Sequence, residues 1–386
     1  MKTLIKNANI VTPRGVLSAE SLAYENGRIT AVGGDMSEAD RVIDAEGAWL
    51  LPGFVDIHCH GGGGYEFMDA DEGEIGEIAD FHLSHGTTTL IATTLAASDE
   101  ETAAAVARLD AYIASHPTSP IAGIHLEGPH FNISQCGAQN PEYIRPLVSG
   151  ELTKIKAEYP TVMRVSAAPE IEGGMALGDE AKSLGIVASC GHTDADFSEI
   201  EEAMKHGYSL MTHLYSGMKG VTRKNSFRIA GAVEAGLYFD DMQVEIIADG
   251  CHIPMELLRF IYKIKGAERI SLITDAIRAA GMPDGAKTKI GSMAAGLDVI
   301  VEDGVAKLPD RQSFAGSTAT TDRLFKNMMS ATGGDIVAVA KMASTTPASL
   351  MGLSDRGEIR VGKRADLLLM DNGYNIKKVI LNGEEK

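Results

Sequence analysis

Histidines and carboxylates gather at the ends of apolar runs in this chain. The segment Asp56-Ile57-His58-Cys59-His60 sets two histidines two positions apart, directly before four glycines. On a pleated strand that spacing turns His58 and His60 to one face and Cys59 to the other. Further runs end in Glu127 ("HLEG"), His192 ("SCGH"), His213 ("MTHL"), Asp249 and His252 ("ADGCH") and Asp275 ("LITDA"). A single histidine at a strand end is an ordinary rim or core side chain. Four with a glutamate make the N/O donor set that binds zinc, iron or manganese. Beside such a metal, Asp275 could be a ligand, a helix N-cap, or a general base. As a base it would take a proton from water and return it to a leaving group.

Other histidines stand apart from this set. His82, His85, His116 and His206 fall in helical segments or at helix ends and read as solvated or capping groups. His125 shares a face with Glu127, which fits an interior position better than direct ligation. Cys59, Cys190 and Cys251 each neighbour a site residue, but alternation turns them away as small buried hydrophobes.

The elements that must carry these residues alternate between strand and helix patterns from Pro52 onward. Strand candidates are "FVDIHCH", "TTTLIATTL", "IAGIHLEG", "VMRVSAAPE", "GIVASCGH", "SLMTHL", "VEIIADG" and "ISLITDA", mostly separated by helical stretches such as "DEETAAAVARLDAYIAS". Near-continuous apolar strands imply a sheet buried on both faces, and eight βα units predict an α/β fold of the TIM type, a (β/α)8 barrel. Active sites of such barrels lie at the C-terminal strand ends, where the polar residues collect. The first 50 or so residues read as short strands and turns, with Gly27 in "ENGR" marking a hairpin. The tail "KRADLLLMD…KKVILNGE" is β again. The expected organisation is a small β-sandwich domain built from 1–51 and 353–386, around a barrel at 52–352 with a β insertion near 283–310.

Composition narrows the partners. The chain has 386 residues, 44% hydrophobic and 23% charged, with a formal net charge of -18. That charge disfavours nucleic acid or an anionic membrane, because counterion release needs a concentrated basic face. A small anion such as a phosphate can still be held by a few local basic groups. No apolar run approaches the ~18 residues of a membrane span, and the N-terminus lacks the apolar core of a signal peptide. Cys59, Cys136, Cys190 and Cys251 form no CxxC pair, and the economical compartment is a reduced cytoplasm.

Taken in order, "PGFVDIHCHG", "HLEGP", "GHTDA", "THLYSGM", "IADGCHIP" and "LITDA" resemble the amidohydrolase superfamily, and within it the N-acetylglucosamine-6-phosphate deacetylases. The resemblance covers nearly the whole chain. It implies hydrolysis of the acetamido group of N-acetylglucosamine 6-phosphate to acetate and glucosamine 6-phosphate. It also implies Glu127, His192 and His213 as principal ligands of a divalent metal, and Asp275 as catalytic acid/base. His58 and His60 match a pair that binds a second metal in some members. Substrate contacts are implied for Ala138, Gln139, Ser216, Gly217, Asp249, His252, Phe314, Ala315 and Gly316. A basic residue after "THLYSGM" should meet the phosphate, sometimes across the interface of a homodimer. Arg223 fits best, with Lys224 and Arg228 competing.

Three departures from the family pattern bear on the substrate. Gln139 stands where "GAH" is common, Ser216 where "THLFNAM" has asparagine, and His130-Phe131 follows "HLEGP" in place of the commoner pair. N-acetylgalactosamine 6-phosphate therefore stays open as substrate. Rival readings are a deaminase or cyclic amidase of the same superfamily, and a non-catalytic sugar-phosphate sensor. No lysine sits at the strand ends to serve as the carboxylated bridge of dihydroorotases and hydantoinases. A sensor should have lost a ligand or the acid/base, and all are present.

Overall fold

All eight apolar runs become parallel strands of one curled sheet in a computed structural model that describes residues 1–34, 36 and 39–386. In chain order the barrel strands are Phe54–Cys59, Thr87–Thr93, Ile121–Glu127, Val162–Ala167, Val187–Cys190, Tyr208–Met211, Gln243–Ile246 and Ile270–Leu272. Each pairs with its sequence neighbours. The curl closes at the C-terminal rim, where Asp275 N–H donates to His58 O at 2.9 Å and His60 N–H donates to Ala276 O at 2.8 Å. Closure thus runs through the backbone of the polar residues themselves.

Helices cover the outside of the barrel. α1 (Glu72–Ser84) opens on a capping box between Asp71 and Glu74, and α2 (Asp99–Ser115) opens on Ser98, which accepts from Glu101 N–H. α3 (Glu151–Glu158) follows the third barrel strand after a long excursion that contains Gln139. Among the described residues no helix is long and apolar enough to cross a membrane.

Both chain ends join in one further sheet. β1 (Lys2–Thr12), β2 (Gly15–Glu25), β3 (Arg28–Val32), β4 (Arg41–Asp44) and β5 (Trp49–Pro52) come from the N-terminal segment. Leu367–Met370 and Ile376–Leu381 come from the tail, with Leu367 opposite Pro52 and Met370 opposite Trp49. β2 and β3 are joined by Asn26 and Gly27, both at positive φ, the two-residue turn whose twist matches a hairpin. Ile5, Ile10, Leu22, Leu50, Leu367 and Ile380 share one buried cluster, distinct from that of the barrel.

Two smaller additions flank the rim. A three-stranded antiparallel sheet (Lys287–Ile290, Leu297–Glu302, Val305–Lys307) packs Ile290, Val299 and Val301 against Met68, Leu95 and Ile277. A two-stranded arm, Thr222–Lys224 with Phe227–Ile229, projects with all its residues exposed except the half-buried Ile229.

Candidate active site

Local backbone geometry aims the polar residues inward. His192, His213 and Asp275 sit just past their strands with φ of 48°, 29° and 51°. This left-handed region costs a non-glycine residue on the order of 1–3 kcal/mol and persists only where the surroundings enforce it. At these ends the ladder stops, and the reversed backbone turns each side chain over the barrel mouth.

The six side chains meet around one carboxylate. Glu127 Oε1 lies 3.0 Å from His213 Nε2, 3.4 Å from His58 Nε2 and 3.4 Å from His192 Nε2. Its Oε2 lies 3.3 Å from His60 Nε2. Asp275 Oδ1 faces His60 Nε2 at 3.1 Å and His58 Nε2 at 3.4 Å. The rear nitrogen of every ring faces an oxygen. These contacts are His58 Nδ1 to Glu245 Oε2 at 3.2 Å, His60 to Thr93 O at 3.3 Å, His192 to Gln135 O at 2.9 Å and His213 to Ser216 O at 3.1 Å.

Carbonyls and carboxylates only accept, so each Nδ1 donates, and each Nε2 points inward at a carboxylate, free to give up its proton and offer a lone pair when a metal ion binds. Four Nε2 atoms and two carboxylates thus converge in a buried space, where a cation could replace the protons that now separate them. Burial pulls the proton affinity of His58 and His60 down. The carboxylates of Glu127 and Asp275, with Glu245 behind His58, outweigh it and raise the pKa values to about 9 and about 10. Burial pushes Glu127 and Asp275 up. His58 leads the histidines that hold Glu127 well below, and Asp275 below, the usual carboxylate range. Ligand atoms converge in two groups, His58 with Glu127 and His213, and His58 with His60 and Asp275. The donor set fits a divalent ion at either. A third convergence, Asp56 with Cys59 and His82, does not fit. Asp56 is taken up by Thr274, and His82 Nε2 lies 2.9 Å from Gly61 O, to which it donates.

These residues floor a cavity of about 310 Å³. Ala138, Gln139, Ser216, Gly217, His252, Phe314 and Gly316 line its walls, while His58 is buried beneath. The remaining expected contacts lie elsewhere. Asp249 stands behind His252, accepting from its Nδ1 at 2.8 Å, and Ala315 is fully buried. Arg223 is on the exposed arm with Lys224 and Arg228, outside the cavity wall of the single chain. Gln139 is turned onto the site itself, donating to Glu127 Oε2 at 2.7 Å and accepting from Ala96 N–H at 2.8 Å. A larger hollow of about 530 Å³ between α2 and α3 contains none of the clustered residues.

Some placements differ from the sequence reading. His82 is fully buried, not solvated, because it follows Ile75, Ile78 and Ala79 on the inner face of α1. Cys251 is exposed, because the seventh strand ends at Ile246 and strand alternation does not extend to it. His125 is buried in the barrel interior, 2.6 Å from Ser166 Oγ. Sequence reasoning missed Leu95, Tyr215, Ile290 and Ser313 in the wall, and the buried pair Arg164 and Glu245 below the floor. The signal for the pair was visible, a charge inside each of the apolar runs "VMRVSAA" and "VEIIADG".

The donors at this barrel rim are those of a divalent-metal site at the floor of a pocket of small-molecule size. The family model described as "Amidohydrolase family" matches residues 49–386, and the chain belongs to that family. It is similar to the N-acetylglucosamine-6-phosphate deacetylase of Bacillus subtilis, with 32% identity over 98% of this chain and 96% of the relative. It is equally similar to the N-acetylgalactosamine-6-phosphate deacetylase of Escherichia coli, with 32% identity over 100% of this chain and 99% of the relative. Among solved structures, a mutant N-acetyl-D-glucosamine-6-phosphate deacetylase from Mycobacterium smegmatis in complex with N-acetyl-D-glucosamine-6-phosphate superposes with a TM-score of 0.91. The identity is 33%, over 100% of this chain and 99% of that one.

Proposed function

We propose that the chain hydrolyses the acetamido bond of N-acetylglucosamine 6-phosphate, releasing acetate and glucosamine 6-phosphate in amino-sugar catabolism. The observation that carries this is the convergence of four inward Nε2 atoms on Glu127 and Asp275 at the floor of a pocket of small-molecule size. Glu127, His192 and His213 would hold one divalent ion, and His58 and His60 with Asp275 a second. Zinc, iron and manganese all suit these donors. When bound, the ion supplies Lewis acidity toward water and the amide carbonyl.

The chain's own groups do the rest. Asp275, ionised and at the pocket floor, takes the proton of the attacking water. It then delivers that proton to the sugar nitrogen, which leaves as an amine. Asp249 clamps His252 through Nδ1 and leaves Nε2 for the substrate. Gln139 holds Glu127 by its outer oxygen.

For the phosphate, Arg223 on the projecting arm is the favoured contact, made to the pocket of a partner subunit in a homodimer. The exposure of Phe227 (76%) and Val221 (57%) on and beside the arm supports such an interface. N-acetylgalactosamine 6-phosphate is the second reading, left open by the departures at Gln139 and Ser216 in the wall and supported by the name of the Escherichia coli relative.

An acetate-release assay on both 6-phosphorylated sugars and their unphosphorylated forms, paired with metal analysis, tests these readings. Release of ammonia instead of acetate would indicate a deaminase. Asp275→Asn with metal content preserved should lose about 10²–10⁴-fold in kcat, and undiminished turnover would remove Asp275 from its role.

A further inference from the structure

Below the pocket floor lies an ion pair that the proposed reaction does not use. Arg164, on the fourth barrel strand, and Glu245, on the seventh, are both fully buried and paired directly. Arg164 also donates to Ile57 O at 3.2 Å, Ser189 Oγ at 3.1 Å and Thr212 Oγ1 at 3.2 Å. Barrel interiors are ordinarily filled by branched apolar side chains, and a buried ion pair is no more stabilising than such a filling. Stability alone therefore does not account for this pair.

Its geometry offers another account. Arg164 engages Glu245 Oε1, while Oε2 accepts from His58 Nδ1 at 3.2 Å and from the backbone N–H of His213 at 3.1 Å. The other three rings of the cluster rest on main-chain carbonyls, of Thr93, Gln135 and Ser216. His58 alone rests on a side chain, and a charged one.

We infer that Glu245, anchored by Arg164, is a positioning residue that sets the proton of His58 on Nδ1, aims its Nε2 at Glu127 and Asp275, and so controls metal affinity at this floor. The inference rests on the metal reading of the site. An acceptor fixed behind a ligating imidazole selects its tautomer and orientation, and loss of such a partner typically costs 10–100-fold in metal affinity.

Two variants of the full chain separate positioning from packing. Glu245→Asp keeps the charge opposite Arg164 but withdraws the carboxylate by about one C–C bond, ~1.5 Å, away from His58. The pair Glu245→Gln with Arg164→Met removes both charges but keeps an acceptor oxygen at the original reach. Zinc affinity is read by competition with a chromophoric chelator, alongside the melting temperature of the chelated protein.

The positioning role predicts a 10–100-fold loss of zinc affinity for Glu245→Asp and near-wild-type affinity for the double variant. A purely structural pair predicts the reverse order, with the double variant the worse in both affinity and melting temperature. That order, or unchanged affinity in Glu245→Asp, overturns the inference. A wild-type chain that takes up no zinc, iron or manganese would instead overturn the metal reading beneath it.

Discussion

Glu66→Gln should flatten the dependence of stability on pH. Glu66 follows the four glycines and is fully buried, with Oε2 accepting from Arg278 Nε at 3.1 Å. Its Oε1 has no hydrogen-bond partner among the described residues. Burial pushes the Glu66 carboxyl up to about 7, even with the Arg278 guanidinium and His60 pulling it down. The folded state therefore keeps a proton that the unfolded chain releases near pH 4.5. This contribution to stability is full below the unfolded pKa and is lost as pH rises through 7. From 4.5 to 7 is about 2.5 pKa steps, or roughly 3 kcal/mol at 1.36 kcal/mol each.

Glutamine keeps an acceptor for Arg278 and does not titrate. Arg278 retains Asp69 Oδ1 at 2.8 Å and Gly291 O at 2.7 Å. Urea unfolding of wild type and variant from pH 5 to 8.5 should show the wild type losing roughly 2.5 kcal/mol relative to the variant, most of it between pH 5 and 7 and little above pH 7.5. Parallel stability curves over that range would refute the reasoning. The consequence reaches the pocket, because the Arg278 network ties the glycine loop to the insertion whose Ile290 lines the wall.

Gly62→Ala should destabilise by about 1–3 kcal/mol, since its Cβ would come within 2.6 Å of Phe81 Cδ1 and 2.7 Å of His82 Nε2. A thermal melt checks it, and an unchanged melting temperature would mean that α1 yields freely. Arg223→Ala should raise KM for the 6-phosphorylated sugar at least tenfold, the equivalent of about 1.4 kcal/mol. The unphosphorylated sugar should be unaffected, and an equal effect on both would place the phosphate elsewhere.

Much of the barrel was legible because its signals are local. Eight apolar runs bounded by polar residues mark eight strands wherever the chain folds, and period-2 alternation puts His58 and His60 on one face from their spacing alone. The inner face of α1 was legible too, since Ile75, Ile78, Ala79 and His82 follow helical periodicity. The assignment of His82 to solvent set residue type above that pattern. Cys251 went astray for the opposite reason, alternation carried beyond the end of its strand.

What the sequence by itself determined is the class of donors and the order in which they arrive at the barrel rim, because side-chain chemistry and strand periodicity are properties of short segments. Only the tertiary structure decided which atoms face one another. Arg164 and Glu245 meet across the barrel from strands 81 residues apart, and Gln139 turns onto Glu127 instead of standing free in the wall. Arg223 leaves the cavity on a projecting arm. Barrel closure determines these relations by bringing strands of distant sequence into one interior, where burial makes every unpaired charge and lone pair costly enough to require a partner.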